Sequence, residues 1–169
     1  CARKMVESFM LCNTVIVEQP EEDEGGEVHY QAESPDEGAL VEGGKMCGYT
    51  LSARTQKELV GSVGPPHSPA TTTKYEILAT NEFDNDRKRM SIVLRDLQTK
   101  KIIFFCKGAD SSMLERADPA SIERSGDFTK TIDAYAVTGL RTLVYSANEW
   151  SEKQWQDWNA KHYEPASTS

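Results

Sequence analysis

An α+β domain built on a mainly antiparallel sheet flanked by helices is what the sequence predicts, and three observations carry it. The β-prone runs stand next to one another in the middle of the chain, without the strict strand-helix alternation that a parallel sheet requires. Two of them, 89–96 and 101–107, are separated only by residues 97–100, a connection short enough for a hairpin. Finally, 169 residues with 38% hydrophobic and 27% charged side chains suit one domain with a single sizeable core.

Each element has a local reason. Met5, Phe9 and Met10 recur at helical spacing, so 2–11 reads as a helix. Ser34, Pro35, Asp36 and Glu37 form a helix start, with Ser34 at the N-cap, proline at the first position and acids in the first turn. That helix runs to about Met46, and Gly48 stops it. Residues 49–54, 75–83, 89–96 and 101–107 have strand character. Residues 109–116 and 121–137 look helical, 142–147 like another strand, and Ser151 with Glu152 and Trp155 behind it opens a final helix. Trp150, Trp155 and Trp158 read as helix anchors against the sheet.

Two stretches interrupt this order. Residues 18–27 hold six acids and no base, with Pro20, Gly25 and Gly26 among them, the pattern of a flexible solvated loop. Residues 61–73, rich in glycine, proline and threonine, read as a surface excursion. The whole chain, 1–169, is taken as a single domain carrying both loops.

The net charge of -8 argues against a nucleic-acid partner. No apolar run approaches the ~20 residues of a membrane helix, so the segment is expected to be soluble. Without an initial Met it reads as part of a longer chain. Cys1, Cys12, Cys47 and Cys106 form no CxxC pair and no cluster with His29, His67 or His162, so free thiols and no metal site are expected.

Four clusters have the residue types that chemistry needs. In ESPDEGAL, Glu37 either complements the helix dipole or accepts a hydrogen bond from an exocyclic amine. In EFDNDRKRMSIV, Arg87, Lys88 and Arg89 are either a charge block guarding an aggregation-prone strand or part of a nucleotide site. There Phe83 would stack on a base and Lys88 would meet a phosphate. Lys107 ends an apolar strand and precedes Gly108 and Ala109, whose small size lets a ligand approach the backbone. Arg141, after Gly139, either caps a helix or holds phosphate oxygens with its planar fork.

Taken together and in this order, YQAESPDEGALV, EFDNDRKRMSIVL, FCKGADSSMLER and GLRTL resemble the nucleotide-binding (N) domain of P-type ATPases, and more narrowly its phospholipid-flippase (P4) class. They span about two-thirds of the chain, and LCNTV near its start also looks like the family. The resemblance implies the N-domain fold and an ATP site in which Glu37 lies at the adenine and Phe83 stacks on it. Lys88 lines the pocket, Lys107 forms its floor and Arg141 reaches the phosphates. Asp36, Met90, Ser91, Gly108, Ala109 and Thr142 are the accompanying wall positions.

It further implies a multi-pass membrane parent with this domain on the cytoplasmic face. ATP is its substrate, and Mg²⁺ is held mainly through the phosphorylation domain. The phosphorylation and actuator domains, a phospholipid reached through the membrane domain and an accessory subunit are the implied partners. The phosphate-accepting DKTGT of the family does not occur in the chain, so no catalytic residue is expected within it. Asp84, Asn85, Val137 and Thr138 depart from the family pattern, and Asp84 adds negative charge near a polyanion. Two other readings stay open: the N domain of a cation-transporting P-type ATPase, and a regulatory domain that holds no nucleotide.

Overall fold

The computed structural model describes residues 2–18, 27–64, 70–124 and 126–167. Six antiparallel strands in simple meander order form the main sheet: β3 (Tyr49–Arg54), β4 (Glu58–Val63), β5 (Thr71–Asp84), β6 (Arg89–Asp96), β7 (Ile102–Gly108) and β8 (Val144–Trp150). A two-stranded ribbon, β1 (Ile16–Glu18) with β2 (His29–Gln31), lies outside it. Helices α1 (Ala2–Leu11) and α2 (Pro35–Met46) precede the sheet. The short α3 (Asp110–Leu114), α4 (Pro119–Arg124) and α5 (Phe128–Val137) are inserted between β7 and β8. The chain closes with α6 (Glu152–Trp158), a π-helical turn Asn159–Tyr163 and a last helical turn, α7 (Glu164–Ser167).

Residues 91–94 of β6 are all buried because the sheet is covered on both faces. Alternation sends Met90, Ile92 and Leu94, with Ile103 and Phe105 of β7, to a front core shared with Met10, Leu11 and Val41 of the first two helices. Val93 and Ile102 point to the back, where Trp155 packs with Phe104, Trp150, Trp158 and Tyr163. Each fully buried large side chain here, such as Phe105 or Leu94, contributes roughly 1.5–3 kcal/mol. Trp155 and Trp158 anchor α6 as expected. Trp150 instead ends β8 and stacks on Phe104 at 5.1 Å between ring centroids.

Several boundaries differ from the sequence reading. Strand β4 was hidden because Gly61 and its neighbours resemble a loop. Gly61 lies in β4 because the Met10 side chain occupies the space a Cβ would take, at 2.7 Å. Thus 61–63 and 71–73 are paired strand, and 65–69 lie outside the described residues, as do 19–26 of the acidic stretch. The single helix expected over 121–137 is broken. Asp118 Oδ2 accepts from the Ser121 amide at 3.0 Å to open α4, and Gly126 at φ +66° separates it from α5. Ser34 stands at the N-cap of α2 in extended conformation, yet its hydroxyl makes no capping bond. Ser151 does cap α6, in a reciprocal box with Gln154.

Candidate functional site

The first turn of α2 gathers two of the four clusters. Pro35 fixes the helix start, which places Asp36 and Glu37 in its first turn. Lys107 Nζ, from the end of β7, donates to Glu37 Oε1 at 2.7 Å, and the two side chains are only 8% and 13% exposed. Thr14, on the loop after α1, donates to Glu37 Oε2 from its amide at 3.2 Å and from Oγ1 at 2.8 Å. Burial pushes the Glu37 carboxyl up, but the Lys107 ammonium and the Thr14 donors outweigh it and hold the group below the usual carboxylate range. Beside it, Arg141 Nη1 donates to Asp36 Oδ2 at 2.9 Å, an exposed pair. Arg141 therefore ties the loop before β8 to α2 and does not cap α5.

Behind the pair lies a polar cluster. Asn13, buried, donates to the Phe9 and Met10 carbonyls at 3.1 and 2.9 Å, closing the end of α1, and accepts from Arg54 Nη1 at 2.9 Å. Tyr145, opposite Lys107 across β7 and β8, packs edge-on against Phe9. Its buried hydroxyl has no hydrogen-bond partner among the described residues, and burial pushes the phenol up. Burial likewise pushes the Cys12 thiol up to about 12, so it is a protonated core residue.

The second half of the site is the hairpin joining β5 to β6. A bulge interrupts the β5–β6 register between Asn81 and Asp84, and Phe83 within it stands 57% exposed. Asp84 accepts from the Asp86 and Arg87 amides at 3.0 and 2.7 Å and pairs with the Arg87 guanidinium. The charge that seemed a departure from the family is thus neutralised within the turn. Lys88 is exposed, at φ 52°, in the left-handed region that costs a non-glycine residue about 1 kcal/mol or more.

Gly108 joins the halves. It pairs with Arg89, and a Cβ there would lie 2.5 Å from the Lys88 carbonyl oxygen and 2.6 Å from Arg89 Cβ. The Ala109 amide donates to the same Lys88 carbonyl at 3.0 Å. The small size of Gly108 thus admits close approach of protein backbone, a use beside the ligand approach that the sequence suggested.

Of the expected residues, the structure brings Glu37, Lys107, Asp36 and Arg141 into direct contact. It sets Phe83 and Lys88 on an exposed hairpin coupled to them through Gly108 and Ala109. Met90 and Ser91 cannot share a wall: Met90 enters the front core, while Ser91 accepts from Asn81 Nδ2 at 3.1 Å on the opposite face. Thr142 is half-buried between Arg141 and β8. The sequence reading missed Thr14 and Asn13; the only signal for them was their place in LCNTV.

A meander sheet whose strand ends and helix start assemble the four motif segments defines a class. The family model described as P-type ATPase, cytoplasmic domain N, matches residues 1–168, and the chain belongs to that family. Similar curated proteins carry its phospholipid-transporting branch. Phospholipid-transporting ATPase ID of Mus musculus is 38% identical over 148 residues, covering 88% of this chain and 12% of that protein. Phospholipid-transporting ATPase DRS2 of Saccharomyces cerevisiae is 37% identical over 157 residues, 93% of this chain and 11% of that one. Probable phospholipid-transporting ATPase 4 of Arabidopsis thaliana is 36% identical over 160 residues, 94% and 13% respectively. The chain thus spans about an eighth of the length of such relatives.

Proposed function

We propose that this domain binds ATP and presents its γ-phosphate to an aspartate in another domain of a phospholipid-transporting P-type ATPase. The observation that carries the reading is the first turn of α2. There one carboxylate pairs with Lys107 in a largely buried setting, and its neighbour pairs with an exposed arginine. An ionised, held carboxylate is an acceptor suited to the adenine amine, while an exposed arginine exchanges its partner easily for phosphate oxygens. Phe83, exposed within its bulge, offers a face for the base, and Lys88 a point charge for the phosphates.

The domain's part in phosphoryl transfer is positioning. Asp36 and Glu37 are engaged by Arg141 and Lys107, Asp110 accepts from the Ser111 amide, and no DKTGT supplies an attacking carboxylate. Among the described residues no three His, Cys, Asp or Glu side chains converge as a metal site. Mg²⁺ is held mainly through the phosphorylation domain of the parent, as the family resemblance implies. Among the same residues no helix is long and apolar enough to cross a membrane.

Titrating the isolated chain with ATP by calorimetry and amide NMR tests the reading. Binding in the range of hundreds of micromolar to millimolar, about 4 to 5 kcal/mol, is expected. Shifts should fall at Thr14, Glu37, Phe83 and Lys88, and labelled ATP should leave no acid-stable phosphoenzyme. A phosphoenzyme formed by these 169 residues would overturn the assignment of the acceptor to another domain.

A further inference from the structure

We infer that Thr14 is a positioning residue that sets base preference, by holding the Glu37 carboxylate in the orientation that accepts an amine and rejects a carbonyl. The inference rests on ATP being held with its adenine at Glu37. An ionised carboxylate is an acceptor only, with about four lone-pair positions. Lys107 Nζ takes one on Oε1, and the Thr14 amide and hydroxyl take two on Oε2, which leaves one. An adenine amine fits this remaining acceptor. Hypoxanthine or guanine in the same pose sets its six-position oxygen, itself an acceptor, against the carboxylate, and it must shift in the plane to offer its N1–H instead.

Lys107 alone holds one oxygen on a flexible four-carbon arm that can follow the carboxylate as it turns about its terminal torsion, which is intrinsically broad. The two Thr14 donors on the second oxygen remove that freedom. Thr14 can do this from an exposed position because its backbone is held independently. The Asn13 side chain grips the end of α1 and accepts from the Val15 amide at 3.3 Å and from Arg54 at 2.9 Å. Loss of the Thr14 hydroxyl therefore removes one donor to Glu37 and leaves the amide donor and the loop in place.

The test measures ATP and inosine triphosphate affinities by calorimetry for the wild-type chain, Thr14→Val and Thr14→Ser, with melting temperatures alongside. Wild type should prefer ATP. Thr14→Val should lose roughly three- to tenfold in ATP affinity with inosine triphosphate unchanged, the loss of one charge-assisted hydrogen bond at a partly wet site. Thr14→Ser should restore the preference, and all three should melt alike. An unchanged preference in Thr14→Val, an equal loss for both nucleotides, or no rescue by serine would overturn the role of Thr14. Equal wild-type affinities for the two nucleotides would overturn it while leaving ATP binding intact. No wild-type binding of either would overturn the ATP reading and this inference with it.

Discussion

The two halves of the candidate site are built by opposite means. The Glu37–Lys107 half is largely buried, with every named polar contact made by groups of the domain itself. The Phe83–Lys88 half is exposed, raised on a bulged hairpin whose internal bonds involve Asp84 and Arg87 and leave Phe83 and Lys88 at the surface. In the first half, the buried pair itself serves binding and stability together, and neither Glu37 nor Lys107 can be changed for one alone. In the second they are independent, and a side chain can be dedicated to a ligand.

The sharpest way to break this contrast is Lys107→Ala. Removing one partner of a buried pair leaves an uncompensated carboxylate, and a loss of roughly 3 to 5 kcal/mol in urea denaturation is expected. Replacing both partners, with Lys107→Met and Glu37→Leu together, should recover most of that stability while abolishing nucleotide binding. A stable Lys107→Ala domain would show that the floor is not a structural pair. Gly108→Ala comes next. Its methyl would have to displace the Lys88 and Arg89 backbone, for about 1–3 kcal/mol of stability, and ATP affinity should fall with it because the hairpin moves.

Phe83→Ala should show the reverse. ATP and ADP affinity should fall by about 1–3 kcal/mol in calorimetry, with a denaturation midpoint that stays in place. A large midpoint shift with unchanged affinity would make Phe83 a packing residue and erase the contrast. Arg141→Ala is the mildest: its ion pair with Asp36 is exposed, so stability should change by less than about 1 kcal/mol and affinity for adenosine should hold. ATP affinity should fall in a way that added salt diminishes.

Acid sharpens the contrast without mutation. Because the folded domain holds the Glu37 carboxyl below its ordinary value, its stabilising share is complete above that value, about pH 4.3. It is lost as pH falls through the lower, folded-state value, which denaturation followed across that window would detect. A Glu37→Gln variant should show a shallower loss over the same window.

Local rules made much of the fold legible. Pro35 with its first-turn acids set the start of α2, and the short 97–100 turn set the β6–β7 hairpin, where Lys100 adopts φ 60°. Strand β4 escaped because Gly61 is there for Met10, a contact between residues far apart in sequence. The break between α4 and α5 escaped because Gly126 and the Asp118 cap act against an otherwise helical pattern. In the site, the residue types of Glu37, Lys107, Phe83 and Arg141 were recognisable from their motifs. Thr14 was not, because an exposed threonine after a helix gives no signal until the loop is seen to reach the Glu37 carboxylate.

The double anchorage of α2 also bears on how this domain tolerates changes of length. Lys107 and Arg141 delimit the excursion that carries α3, α4 and α5, and both are tied to adjacent residues, Glu37 and Asp36. The two ends of the excursion are also paired directly, Gly108 with Val144 where β7 meets β8, so they stay together whatever lies between them. Since the entropy of closing a loop grows only with the logarithm of its length, residues can be added or removed around Gly126 at little thermodynamic expense. That makes the α4–α5 junction a place where a reporter domain or an additional regulatory segment could be inserted while the ends of the excursion keep their register on α2.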